Sequence, residues 1–428
     1  MEGLAMGDLR SSNVLSPELE MQTPAERQAY LGERLRATVA RAYARAAYVK
    51  TVMDRRGLSP SDICRLEDLP KLPMIKKDEL AQLQGADLPF GGLLAANPSG
   101  LKRIYMSPGP NYVPEPQRAD FWRFRFAFAS AGFRAGDIVQ NTLSYHLSPG
   151  GLMMDAGLRS LGCVVIPAGV GQTDLQIRVA ADVGVTGYVG TPSFLYTLLT
   201  KAKEAGRPLK IKSALVTAEM LPESLRAELE NDFGIRVLQA YGTADLGLLA
   251  YECAEKKGMH VHPEAIVEIV DLETQRPAEP GQPGLLVATT FDESYPLIRF
   301  VPGDISSFAA DQACPCGRTA PKLTGILGRV GDAVKVKGMF VRGSQLEEVF
   351  KKFSEVRRFQ AVVSRQEHQD ALVYLVELSQ EVADRSALAS RLGNSLKEAL
   401  KVRGEVRFVA SGTIGEGAKR IDDRRVWK

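Results

Sequence analysis

The sequence predicts an α/β protein with a large N-terminal domain and a small α+β domain at the C-terminus. Three observations carry this. Between residues 137 and 238 short apolar runs alternate with helical segments, the texture of parallel strands whose two faces are both covered by helices. Past Cys253 the pattern turns to β runs separated by Pro and Gly, which marks a β-rich subdomain. Beyond a glycine-rich joint at 325–332 the order becomes β-α-β, so the domains are placed at 1–327 and 328–428.

In chain order, residues 1–22 are polar and expected to be loosely held. Residues 24–53 are rich in Ala, Arg, Glu and Leu and read as one or two helices, residues 60–73 as turns, and residues 76–83 as the start of a short helix. Residues 103–116 hold four prolines between 108 and 116, which excludes helix and central strand. An apolar start precedes them and a helix at 119–131 is expected to follow. A strand–loop–helix with Ser107 and Gly109 in the loop is where a phosphate cradle sits, yet each proline removes a backbone donor, so a rigid surface loop is the competing reading. Strands are expected at 138–139, 163–166, 187–189, 214–217 and 235–238, with helices at 151–161, 174–183, 192–204 and 222–233 between them. Ligands on such sheets bind beyond the carboxyl ends of the strands. Tyr145 and His146, Thr217 to Glu219, and Tyr241 with Gly242 all follow strands. Further strands are expected at 266–270, 284–290 and 297–301. The tail is expected to run through strands 361–363 and 371–377, a helix at 384–402 and a strand at 405–409.

Composition limits the function. The chain has 428 residues, 45% hydrophobic and 25% charged, with a net charge of +3, so neither nucleic acid nor an anionic membrane is its expected partner. No apolar run approaches the ~20 residues that cross a bilayer, the N-terminus lacks a signal-peptide layout, and five cysteines do not make a disulfide scaffold. The expected compartment is the cytoplasm.

Two constellations could carry chemistry. Gln239-Ala-Tyr-Gly-Thr-Ala-Asp-Leu-Gly247 leaves a β-branched run and offers an aromatic face at Tyr241, a close backbone approach at Gly242, a hydroxyl at Thr243 and a carboxylate at Asp245. That set suits a purine, a phosphate or acyl oxygen and a Mg²⁺; a purely structural strand-to-loop corner is the alternative. Cys253, His260, Cys314 and Cys316 offer three thiolates and an imidazole, a closed tetrahedral Zn²⁺ set. A chance Cys-Pro-Cys in a loop is the alternative, and His262 is the alternative imidazole.

Three stretches together resemble the adenylate-forming (AMP-binding) enzymes: Tyr241-Gly-Thr-Ala-Asp245, Tyr295-Pro-Leu-Ile-Arg-Phe-Val-Pro-Gly-Asp304 and Gly328-Arg-Val-Gly-Asp-Ala-Val-Lys-Val-Lys-Gly338. Thr217-Ala-Glu219, Leu161-Gly-Cys-Val-Val-Ile-Pro-Ala-Gly169 and the Cys-Pro-Cys-Gly insert resemble the phenylacetate–CoA ligase branch in particular. The resemblance implies a nucleotide-binding domain with a swinging C-terminal lid, and ATP-dependent conversion of an organic, aromatic acid to an acyl-adenylate followed by transfer to CoA or another thiol carrier. It implies that Tyr241 stacks on adenine, Asp304 accepts from the ribose, and Thr243 and Ser107 meet phosphate. Glu219, Gly242 and Arg329 join these nucleotide contacts, Asp245 takes the Mg²⁺ position, and Tyr145 with His146 lines the acid pocket. It also implies structural zinc, and a homodimer is the assembly considered. Three departures stand out. The phosphate loop is filled with proline, the joint carries Gly331 where an acidic pivot is usual, and the terminal lysine motif is one residue short at Glu416-Gly-Ala-Lys-Arg420, so the catalytic cation is either missing or supplied by Lys419. A fold that binds nucleotide or acyl-adenylate without turning it over is therefore the second functional reading.

Overall fold

The computed structural model describes residues 13–107, 111–330, 333–336, 339–366, 369–400 and 402–425. The chain forms two compact units, the first ending at Ile326 and the second beginning at Leu327.

In the first unit the strands Ile138–Asn141, Val164–Pro167, Gly187–Gly190, Ser213–Val216 and Arg236–Thr243 pair in parallel. Their order is non-sequential, with Ile138–Asn141 lying between Val164–Pro167 and Gly187–Gly190. Each crossover is a helix: Gly150–Ser160, Thr173–Val183, Pro192–Glu204 and Glu223–Asn231. Gly187–Gly190 is wholly buried, as a strand covered on both faces must be. The sheet then turns antiparallel at the hairpin between Arg236–Thr243 and Gly247–Glu252 and continues through Met259–Val261 and Lys322–Arg329. Ala265–Val270, Gly284–Thr290 and Asp304–Phe308 complete the β-rich part.

Three sequence expectations need correction here. Residues up to 22 are not all loosely held. Glu20 is buried, its carboxylate accepts from Arg318 Nε at 2.5 Å and from the Tyr251 hydroxyl at 2.8 Å, and Thr319 N donates to its carbonyl. Only Arg125–Ser130 of the predicted 119–131 helix forms, because Asp120 and Arg123 take positive φ (42° and 66°), which breaks a right-handed helix. The proline segment is a two-stranded hairpin, Leu101–Met106 against Tyr112–Pro116, rather than a strand, loop and helix. It stays off the large sheet, which is where a strand with two prolines is tolerated.

The helices Pro24–Arg45 and Ala47–Arg55 pack with Leu80, Phe90 and Phe300 in one core. A second core gathers Trp122, Phe124, Phe126 and Phe128 with Val139, Val189 and Leu238 under the parallel sheet. The second unit has its own core, in which Leu388, Leu392, Leu396 and Leu400 of the Arg385–Leu400 helix cover a sheet of Val356–Gln366, Gln369–Leu378, Glu405–Val409 and Ile421–Asp423.

Candidate active site and metal centre

The carboxyl ends of the parallel strands bring the predicted residues to one edge. Tyr145 follows Ile138–Asn141, Glu219 follows Ser213–Val216, and Tyr241 to Thr243 end Arg236–Thr243. The Tyr241 hydroxyl donates to Asp304 Oδ2 at 2.6 Å. This contact joins two motifs 63 residues apart and sets an aromatic ring beside a carboxylate that is 4% exposed. Gly303, at φ 95°, turns the backbone so that Asp304 begins its strand facing the motif. Gly242 serves packing as much as ligand approach, because a Cβ there would lie 2.7 Å from the Gly247 carbonyl and 2.9 Å from Phe124 Cζ. Thr243 Oγ1 caps the hairpin by accepting from Leu246 N at 3.0 Å.

Asp245 departs from expectation. Its side chain is almost fully buried, and Lys77 Nζ stands 3.0 Å from Oδ2, in the position assigned to Mg²⁺. Its Oδ1 is buried without a partner, so one acceptor remains for a cation. The sequence reading gave Lys77 no role.

At the proline hairpin the backbone N–H of Ser107 donates to the Asn111 carbonyl at 2.8 Å, while Ser107 Oγ and both amide atoms of Asn111 are buried without partners. Gly109 lies outside the described residues. The Tyr145 hydroxyl accepts from Asn141 Nδ2 at 2.7 Å, and its ring rests on Gly151, where a Cβ would meet it at 2.6 Å. Burial pushes the Tyr145 phenol well above its ordinary range. His146 is exposed beside it, and Glu219 is exposed and accepts from Ser193 Oγ at 2.6 Å.

Arg329 and Lys419 belong to the second unit and both are exposed. The loop before Lys419 is anchored: Glu416 pairs with Arg358 at 2.9 Å, Ile414 N donates to Glu377 at 2.7 Å, and Gln360 Nε2 donates to the Lys419 carbonyl at 3.0 Å. Among the described residues the Lys419 ammonium makes no ion pair.

The ligand atoms of Cys253, His260, Cys314 and Cys316 all lie within 4.8 Å of one another. Zn–S bonds of ~2.3 Å and Zn–N bonds of ~2.0–2.1 Å require tetrahedron edges of ~3.8 Å between sulfurs and ~3.6 Å from sulfur to nitrogen. Cys253 Sγ stands 3.6 Å from Cys314 Sγ, and Cys316 Sγ stands 3.4 Å from His260 Nε2. His260 Nδ1 lies 3.3 Å from the Ala320 carbonyl; donating there turns the Nε2 lone pair toward the sulfurs. Hydrogen bonding from Cys253 pulls the Cys316 thiol far below its ordinary range and pushes Cys253 up in return. His262 is not the imidazole of this cluster. Its Nδ1 accepts from Glu264 N at 3.0 Å, and its ring packs edge-on against Phe126.

Known proteins match along the whole chain. The AMP-binding enzyme family matches residues 120–290, and the AMP-binding enzyme C-terminal domain matches residues 338–425. The phenylacetate-coenzyme A ligase of Thermus thermophilus is 30% identical over 94% of this chain and 97% of its own length. That of Escherichia coli is 28% identical over 97% and 98%. Among solved structures, an open conformation of 2-hydroxyisobutyryl-CoA ligase with 2-HIB-AMP and CoA superposes with a TM-score of 0.82 at 24% identity, covering 99% of this chain and 96% of the other. The same enzyme in its thioesterification state gives 0.72 at 25% identity, covering 99% and 94%.

Proposed function

This chain belongs to the AMP-binding enzymes, in the branch of the phenylacetate–CoA ligases, and from that membership we propose that it activates an organic acid with ATP as the acyl-adenylate and passes the acyl group to CoA. The observation that carries the reading is the Tyr241–Asp304 contact at 2.6 Å, which puts a stacking ring and a buried acceptor together at the carboxyl edge of the sheet. Adenine rests on Tyr241 and the ribose hydroxyls donate to Asp304. Thr243, Gly242, Glu219 and Ser107 bound the rest of the nucleotide.

The acid is aromatic in this reading. Tyr145, clamped by Asn141 and backed by Gly151, offers it a rigid flat wall, with His146 at the rim. The partnerless Oδ1 of Asp245 fits the Mg²⁺ that accompanies ATP. The four clustered side chains at Cys253, His260, Cys314 and Cys316 fit a structural Zn²⁺, since two of their separations lie within ~0.2 Å of tetrahedral edges. Arg329 and Lys419 act from the second unit, Lys419 as the cation of the adenylation step. Among the described residues no helix is long and apolar enough to cross a membrane.

The test is calorimetric titration of AMP into wild type and Asp304→Ala. Loss of a charged acceptor costs ~1.5–3 kcal/mol, so affinity should fall ten- to a hundredfold. Equal affinities would end the assignment of this site.

A further inference from the structure

We infer that Lys77 is the resident cation for the pyrophosphate end of ATP, supplying from the first unit the positive charge that the proline-filled hairpin, short of backbone donors, lacks; this rests on the nucleotide reading above. The two-residue strand Ile75–Lys76 runs parallel to Phe300–Val301, with Lys76 opposite Val301, and so delivers Lys77 beside the motif that ends at Asp304. Lys77 is the first residue of the ten-residue helix Lys77–Ala86. Its ammonium therefore adds to the positive end of the helix dipole. From there Nζ reaches Asp245 Oδ2 at 3.0 Å.

The same helix fixes the other wall. Gln84 Nε2 donates to the Tyr112 carbonyl and to the Tyr295 hydroxyl, each at 2.8 Å, and Gln84 Oε1 accepts from Tyr112 N at 2.7 Å. One helix thus ties together the 241–245 hairpin, the 295–304 motif and the proline hairpin. Next to Tyr112, Asn111 is 0% exposed and Ser107 2% exposed. On the two hairpins held by this helix, four polar atoms are buried without a partner: Asn111 Oδ1 and Nδ2 and Ser107 Oγ on the proline hairpin, and Asp245 Oδ1 on the other. Buried polar groups are almost always paired, so orphans on the two hairpins that this helix joins, one of them on the carboxylate that the half-buried Lys77 meets, point to an absent polar ligand. A triphosphate supplies acceptors for Asn111 Nδ2, Ser107 and Lys77, and its accompanying Mg²⁺ suits Asp245.

Without nucleotide, Lys77 neutralises Asp245. With ATP bound, its long stem swings the ammonium onto the β- and γ-phosphates. In adenylation the substrate carboxylate oxygen bonds to the α-phosphorus, the bond from that phosphorus to the bridging oxygen breaks, and the electron pair leaves on pyrophosphate. Lys77 transfers no proton; it meets the charge gathering on the leaving group.

The experiment compares wild type and Lys77→Gln in the full chain, by calorimetry with AMP and with Mg·ATP and by single-turnover pyrophosphate release. Lys77→Gln should weaken Mg·ATP at least tenfold, leave AMP within about twofold, and slow pyrophosphate release ~10²-fold. A lysine that merely pins the helix to the hairpin would weaken both nucleotides alike or neither, and either result overturns the proposal. Should Lys77→Gln not fold, Lys77→Met in an Asp245→Asn background leaves no charge unpaired. It should still bind Mg·ATP tenfold more weakly than Asp245→Asn alone, and equal binding overturns the proposal. Wild type that binds neither nucleotide removes the nucleotide reading itself, and this inference with it.

Discussion

Replacing Cys314 by Ser tests the metal centre most sharply, because Cys314 is only half-buried and the change removes a ligand with little loss of packing. The magnitude follows from linkage. A site whose Kd lies a thousandfold below free zinc adds ~4 kcal/mol to the folded state. Unfolding entropy near ~2.1 cal/mol/K per residue, over the roughly 326 residues of the first unit, makes ~0.7 kcal/mol/K. Loss of the ion should then lower Tm by ~6 °C. The loosened segment is specific: the Cys253–His260 connection, the 314–322 loop, and through Arg318 and Thr319 the residues near Glu20. Elemental analysis of protein purified without chelator should find close to one zinc per chain in wild type and little in Cys314→Ser, with AMP affinity kept within about twofold. Wild type with far less than one zinc, or a variant with unchanged metal content and Tm, would refute the reasoning.

Two further predictions concern charge. Burial raises the Asp120 carboxyl from an ordinary 3.8 to about 6, so between those values the native state holds a proton that the unfolded state has released, and raising the pH removes stability. The stability advantage of Asp120→Asn over wild type should therefore be up to ~3 kcal/mol larger at pH 8 than near pH 4, read from denaturant melts at the two pH values; a pH-independent difference contradicts it. Lys419→Ala should slow acyl-adenylate formation ~10²-fold while leaving nucleotide affinity and thioester formation from a supplied adenylate nearly intact. Equal single-turnover rates would return Lys419 to a solvated basic tail.

Much of the parallel sheet is legible in the sequence because strands such as 187–189 and 235–238 are short apolar runs between amphipathic helices, a local signal. The Tyr241 and Asp304 motifs are legible because their residue types match their chemistry. What escapes is long-range. Lys77 meets Asp245 across 168 residues, and no pattern within residues 76–86 announces it. The 119–131 segment carries helical composition, yet Asp120 and Arg123 are held at positive φ, and Arg123 Nη2 donates to the Leu246 carbonyl at 2.6 Å in the core. Tertiary contacts override propensity there. The prolines at 114 and 116 mark a segment unfit for a central strand but cannot say that it pairs as an isolated hairpin. Choosing between His260 and His262 likewise needed the fold, since both are fully buried and only one faces the sulfurs.

The most direct measurement of the central claim is pyrophosphate release by the wild-type chain given ATP, Mg²⁺ and a panel of aryl and aliphatic acids, with acyl-CoA followed when CoA is added. Pyrophosphate release that depends on one acid class, with aryl acids leading, and stoichiometric acyl-CoA on adding the thiol are the predicted result. A chain that binds AMP yet releases no pyrophosphate with any acid would contradict it, and would leave a nucleotide-holding fold in place of a ligase.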